Sequence, residues 1–152
     1  MNVTRTRTPC IGICSTTSVG DAICRGCKRY AFEVIRWNGY SEVEKKAVLS
    51  RIEALTVQIL AGKFAIVSEQ ELATALKQCK LPFNPSLSPF SWLHNYLKKG
   101  NLVVSAEQLG ISVQPAYSHY SLEQLAALVD DELLMLCDAH FARYYQQTNS
   151  LA

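Results

Sequence analysis

The sequence predicts a mostly α protein, with a small four-cysteine metal knuckle module at the N-terminus (residues 1–40) followed by a helical domain (residues 41–152). Three observations carry this expectation. Four of the six cysteines fall within residues 10–27, spaced CxxxC, nine residues, CxxC. The balance of charge changes sign near residue 40. Beyond that point a serine with Glu or Gln three residues later recurs ahead of apolar residues at helical spacing, the pattern of capped amphipathic helices. A chain of 152 residues, 49% hydrophobic and 18% charged, is long enough for one ordinary core, or for a stapled module plus a helical domain. It shows no internal repeat and no low-complexity segment.

Residues 1–9 are polar, carry Arg5 and Arg7 and have no apolar run behind them, so no secretory signal is expected. No stretch approaches the roughly 18 apolar residues of a membrane span, and the expected location is the cytoplasm, with no membrane partner. Disulfides rarely persist there, which turns clustered thiols into a candidate metal site. Residues 1–40 carry a net charge of +4 and residues 41–152 a net charge of −2. Four thiolates around a divalent ion bring two excess negative charges, so part of the N-terminal basicity reads as counter-charge.

The first element is the cysteine module. The CxxC pair, Cys24 and Cys27, brings two sulfurs to one ion from a tight turn, with Gly26 able to adopt positive φ and the amides after Cys24 aimed at its sulfur. Cys10 and Cys14 stand one residue further apart around Gly12, while Ile11 and Ile13 cover the apolar side. Residues 15–23 read as a polar loop turning at Gly20 and Asp21, long enough to double the chain back. Zinc closes a four-thiolate tetrahedron without redox chemistry and supplies folding energy to a core-poor segment, so one structural Zn2+ is the expected cofactor. The alternative is an iron–sulfur cluster, although the spacing matches neither common ferredoxin run, CxxCxxCxxxCP or CxxxxCxxC. Charge does not separate the two, since an oxidised cluster with four thiolates also carries about −2.

From Pro9 to about Leu60 the chain resembles a known family. Pro9-Cys10-Ile11-Gly12-Ile13-Cys14, Cys24-Arg25-Gly26-Cys27, Glu33, Trp37 and Glu44-Lys45 are similar to the YdhL-like family of small bacterial proteins, a domain of unknown function labelled a predicted iron–sulfur protein. The resemblance covers about a third of the chain and is specific in its cysteine spacing. It implies an iron–sulfur centre at the four cysteines and supplies no substrate or reaction. The helical C-terminal part is an addition to it.

The remaining elements follow in order. Phe32, Val34, Ile35 and Trp37 predict an apolar cluster on a short helix that Asn38-Gly39 ends, with Trp37 in the core. Ser41 with Glu44 forms a capping box, and Val48, Ile52, Leu55 and Ile59 predict an amphipathic helix over 42–61 closed by Gly62. Ser68 with Glu71 starts another helix carrying Leu72 and Leu76. Pro89 opens a helix that Gly100 ends. Residues 101–120 admit short strands at 102–104 and 111–113, or a helical turn at 105–109. Ser121 with Gln124 caps a long helix to about Gln146, with Leu122, Leu125, Val129, Leu133, Leu136 and His140 on one side.

Other constellations carry less. Cys137 and His140 stand at i and i+3, with His94 and His119 elsewhere, but two ligands on one helix do not fill a coordination sphere. Cys137 and Cys79 read as small hydrophobes. No local motif supports a Cys-His nucleophile, and no enzyme activity is expected. Asp130, Asp131 and Glu132 read as a solvated face. The partner signal lies in the basic and aromatic residues of the knuckle. Arg25, Lys28, Arg29 and Arg36, with Tyr30 and Tyr40 between and beyond them, suit phosphate contacts and base stacking on RNA or DNA. The competing reading is that these charges neutralise thiolates. The expected function is thus a cytoplasmic metal-stabilised module that binds another protein or nucleic acid; the alternative is iron–sulfur electron transfer or redox sensing.

Overall fold

The computed structural model describes residues 8–9, 14–18 and 20–146. Cys10, with Ile11, Gly12 and Ile13, lies outside the described residues, as do Arg5 and Arg7. The protein is mostly α. Its elements are α1 (Ser15–Ser18), α2 (Ala31–Arg36) continued by a 3-10 turn (Trp37–Gly39), α3 (Glu42–Ala61), β1 (Phe64–Ile66), α4 (Glu69–Gln78), α5 (Pro89–Lys99), β2 (Ile111–Val113) and α6 (Leu122–Phe141), which runs into a π-helical turn (Ala142–Gln146). Among the described residues no helix is long and apolar enough to cross a membrane.

Local chemistry sets the helix starts. Ser41 Oγ accepts the Glu44 N–H at 3.1 Å while Glu44 Oε1 accepts the Ser41 N–H at 3.1 Å, and Ser121 and Gln124 repeat the exchange at 3.1 and 2.9 Å. Each exchange satisfies two amides that helix geometry leaves without an internal acceptor. Ser68 caps α4 through the Glu71 N–H, and Ser88 precedes Pro89 at the first turn of α5. α4 ends on a left-handed residue, Lys80 (φ 56), with the Leu81 N–H returning to Leu76 O at 2.9 Å and the Lys80 N–H to Lys77 O at 3.1 Å.

The chain forms two compact units, one of residues 1–55 with 133–152 and one of residues 56–132. Composition changes near residue 40, whereas the limits of the units fall inside α3 and α6. The unit of residues 56–132 has an apolar core in which Leu60, Phe64, Leu72, Leu93, Leu109, Ile111 and Leu125 are buried. Its two strands pair antiparallel, with Phe64 opposite Val113 and Ile66 opposite Ile111. Gly110 sits at φ 68 just before β2, and its carbonyl takes the N–H groups of Val67 and Ser68 at 2.8 Å each. In residues 101–120 a 3-10 turn (Glu107–Leu109) and β2 both form, and residues 102–104 stay out of strand. Glu132, at the end of the acidic run, pairs with the buried Lys63 ammonium, while Asp130 and Asp131 are exposed.

The other unit is built on aromatic and polar groups. Tyr30 is fully buried, its ring 5.0 Å from that of Phe141 and its hydroxyl 3.2 Å from His140 Nδ1. The Arg51 guanidinium lies 4.0 Å over the Tyr30 ring and makes a two-pronged ion pair with Glu33 at 2.6 and 2.8 Å. Glu33 Oε1 also accepts the Tyr30 N–H at 2.9 Å. Trp37 is buried as expected, but Ile35 is 75% exposed. With Glu33 turned inward to Arg51, Ile35 two positions on falls on the opposite side of this short helix.

Candidate metal centre

Residues 22–31 form a tight hairpin. Ile23 and Tyr30 bridge antiparallel, the Cys24 N–H donates to Arg29 O at 2.9 Å, and the Ala31 N–H donates to Ala22 O at 2.8 Å. The Lys28 N–H closes the turn on Cys24 O at 2.8 Å. The left-handed residue of the turn is Lys28 (φ 65), whereas the sequence placed that freedom on Gly26. α1 is stitched onto the hairpin, since Ser15 Oγ accepts the Arg25 N–H at 2.8 Å and Ser15 O accepts the Asp21 N–H at 3.2 Å.

This geometry aims amides at sulfur. Burial pushes the Cys24 thiol up, but hydrogen bonds from the backbone N–H groups of Cys27, Ser15 and Gly26 and from the Cys27 thiol outweigh burial and bring it down to about 6. Burial also raises Cys27, offset in part by Arg29, whose Nε donates to Cys27 Sγ at 3.2 Å and whose backbone N–H bonds to the same sulfur. Around a tetrahedral zinc with bonds of about 2.3 Å, sulfurs stand about 3.8 Å apart, a spacing within reach of two cysteines on one tight turn. The donor set, soft sulfur charge-stabilised by amides, fits zinc or iron.

The other predicted ligands stand as follows. Cys14 precedes Ser15, whose hydroxyl accepts the Arg25 N–H at 2.8 Å, so its backbone adjoins the residue that is tied to the turn after Cys24. Its own Sγ is 2.9 Å from Thr16 Oγ1. Among the described residues no three His, Cys, Asp or Glu side chains converge as a metal-holding group, and Cys10 lies outside them. Cys137 is buried, His140 pairs with Tyr30, His119 stacks on Tyr120 at 4.4 Å, and Cys79 is exposed.

The four basic residues singled out by sequence divide into two kinds. Arg25 is exposed and ion-paired with Asp21 at 2.9 Å, and Arg36 is exposed, with its guanidinium 5.9 Å over Phe32. Lys28 and Arg29 are only 3% and 2% exposed. Lys28 Nζ turns back to the carbonyls of Arg25 and Gly26, and Arg29 lies 4.8 Å over the Trp37 ring. Sequence reasoning missed the cluster of Tyr30, Glu33, Arg51 and His140. The spacing of Tyr30 and Glu33 is that of a capping box, but tyrosine is not a capping residue, and Arg51 and His140 are distant in sequence.

A family model described as a protein of unknown function, DUF1289, matches residues 8–56, about a third of the chain, and takes in all four clustered cysteines. The matched segment is thus similar to an uncharacterised domain. No curated protein and no solved structure matches the chain.

Proposed function

We propose that residues 8–40 form a thiolate metal site in which Cys10, Cys14, Cys24 and Cys27 hold one structural Zn2+, and that the protein is a metal-stabilised interaction module of a reducing compartment. One observation supports this above the others: the hairpin buries both Cys24 and Cys27, and the N–H groups of Cys27, Ser15 and Gly26 pull the Cys24 thiol down to about 6 against the effect of that burial. Amides converge on a sulfur at little cost only when that sulfur carries negative charge, and a bound metal keeps it so. The ion supplies folding energy and no reaction step. Its residues draw Ser15, the turn 24–27 and the bridge at Tyr30 into one piece.

The iron–sulfur alternative draws on the motif resemblance, and the same N–H groups would tune a cluster. Nucleic-acid binding would rest on Arg25 and Arg36, because Lys28 and Arg29 face inward. Two phosphate contacts give an affinity for single-stranded RNA that falls with salt at a log–log slope of about −1.4.

The experiment is metal content with a visible absorption spectrum on protein purified without oxygen. One zinc per chain and no visible band supports the proposal. Two or four irons with sulfide and a brown colour would replace it with a cluster. A chain without metal, and with no affinity for either, would remove both.

A further inference from the structure

Arg29 sits where a sequence reading looks for a phosphate contact, yet among the described residues it is one of the most deeply buried cations, at 2% exposure. Among the described residues its side-chain polar contact is Nε to Cys27 Sγ at 3.2 Å, and its guanidinium plane is covered by the indole of Trp37 at 4.8 Å. A guanidinium does not give up its proton, so the site holds a permanent positive charge away from water. Such a charge is costly unless an anion faces it. A neutral thiol and a ring face compensate it poorly, whereas a metal-bound thiolate compensates it well.

The surroundings keep the cation in place. The backbone N–H of Arg29 bonds to the same sulfur, and its carbonyl takes the Cys24 N–H at 2.9 Å, so the residue is locked to both cysteines of the pair. Trp37 is itself buried in the turn after α2, with Lys45 Nζ 5.9 Å from its ring. Sulfur, guanidinium and indole thus form a stack supplied by three successive pieces of chain.

We propose that Arg29 is a positioning residue of the metal site: its guanidinium, braced by Trp37, orients Cys27 Sγ as a ligand and raises the affinity of the site for a divalent cation. The inference rests on the metal-site reading above and adds to it the group that sets affinity. Replacing a residue that orients a metal ligand typically costs 10- to 100-fold in affinity. Arg29→Lys keeps the charge and loses the fixed fork and the stacking plane.

The test uses the full-length chain and two probes, zinc in competition with a chromophoric chelator and cobalt(II) read by its thiolate charge-transfer bands. Arg29→Gln is expected to weaken zinc binding about 10- to 100-fold and to shift the cobalt bands, with the far-ultraviolet circular dichroism of the loaded protein unchanged. Arg29→Lys should fall between the two. Equal affinities and identical cobalt spectra for wild type and Arg29→Gln would overturn the role of Arg29 and leave the metal site standing. A wild-type chain that takes up neither ion overturns both. If Arg29→Gln does not fold, Arg29→Lys decides, and an affinity within twofold of wild type overturns the proposal.

Discussion

Two left-handed residues put the same backbone rule to opposite tests. Gly110 (φ 68) has no room for a side chain, because a Cβ there would stand 2.6 Å from Ser68 O and 2.8 Å from Glu71 Cβ. Gly110→Ala therefore adds a steric clash to an unfavourable φ and is expected to cost more than about 2 kcal/mol in chemical denaturation. Lys80 (φ 56) occupies the position after α4 where glycine is at ease, and its side chain is exposed. Lys80→Gly should stabilise by about 0.5–1 kcal/mol. The thiols divide as sharply. Burial pushes the Cys137 thiol up, more than the nearby Arg51 and Lys28 charges pull it down, whereas Cys79 is exposed. Since the thiolate is the reactive form, alkylation at pH 8 mapped by peptide mass should modify Cys79 in the native protein and Cys137 only in denaturant. At residue scale the inward turn of Arg29 and Lys28 was not legible, because their burial depends on contacts that composition does not encode.

Capping explains why the helices were legible. The limits of α3 at Glu42 and Ala61 coincide with those drawn from Ser41, Glu44 and Gly62, because a serine–glutamate exchange is complete within four residues. Ser41→Ala should cost about 1 kcal/mol, and Ser121→Ala about the same, both measured by thermal or urea unfolding. β1 was not foreseen. Its three residues lie between Gly62 and Ser68, and its partner stands more than forty positions away at Ile111–Val113, so no local pattern announces the pairing. The ion pair of Glu33 and Arg51 was hidden for the same reason. It joins α2 to α3, and removing one partner by Glu33→Ala leaves a half-buried guanidinium over Tyr30, an expected loss of about 2–3 kcal/mol, below the roughly 3–5 kcal/mol of a fully buried pair.

At the scale of the whole molecule, the two compact units are stabilised by different chemistry. Residues 56–132 enclose an apolar cluster of leucines and aromatic rings, while the other unit buries Tyr30, Trp37, two cysteines of the hairpin and several charged groups. If a metal supplies the missing cohesion, chelation should raise amide hydrogen exchange across residues 20–37 and leave α5 protected. Equal acceleration in both would count against a structural ion confined to the hairpin. The division itself was not readable from charge, which records where lysines and carboxylates fall along the chain and not which segments touch. The chain holds two tryptophans, and the division assigns Trp37 to one unit and Trp92 to the other. Each half of the protein therefore has its own intrinsic fluorophore, and two single-tryptophan variants would let the melting of either be followed by its emission alone.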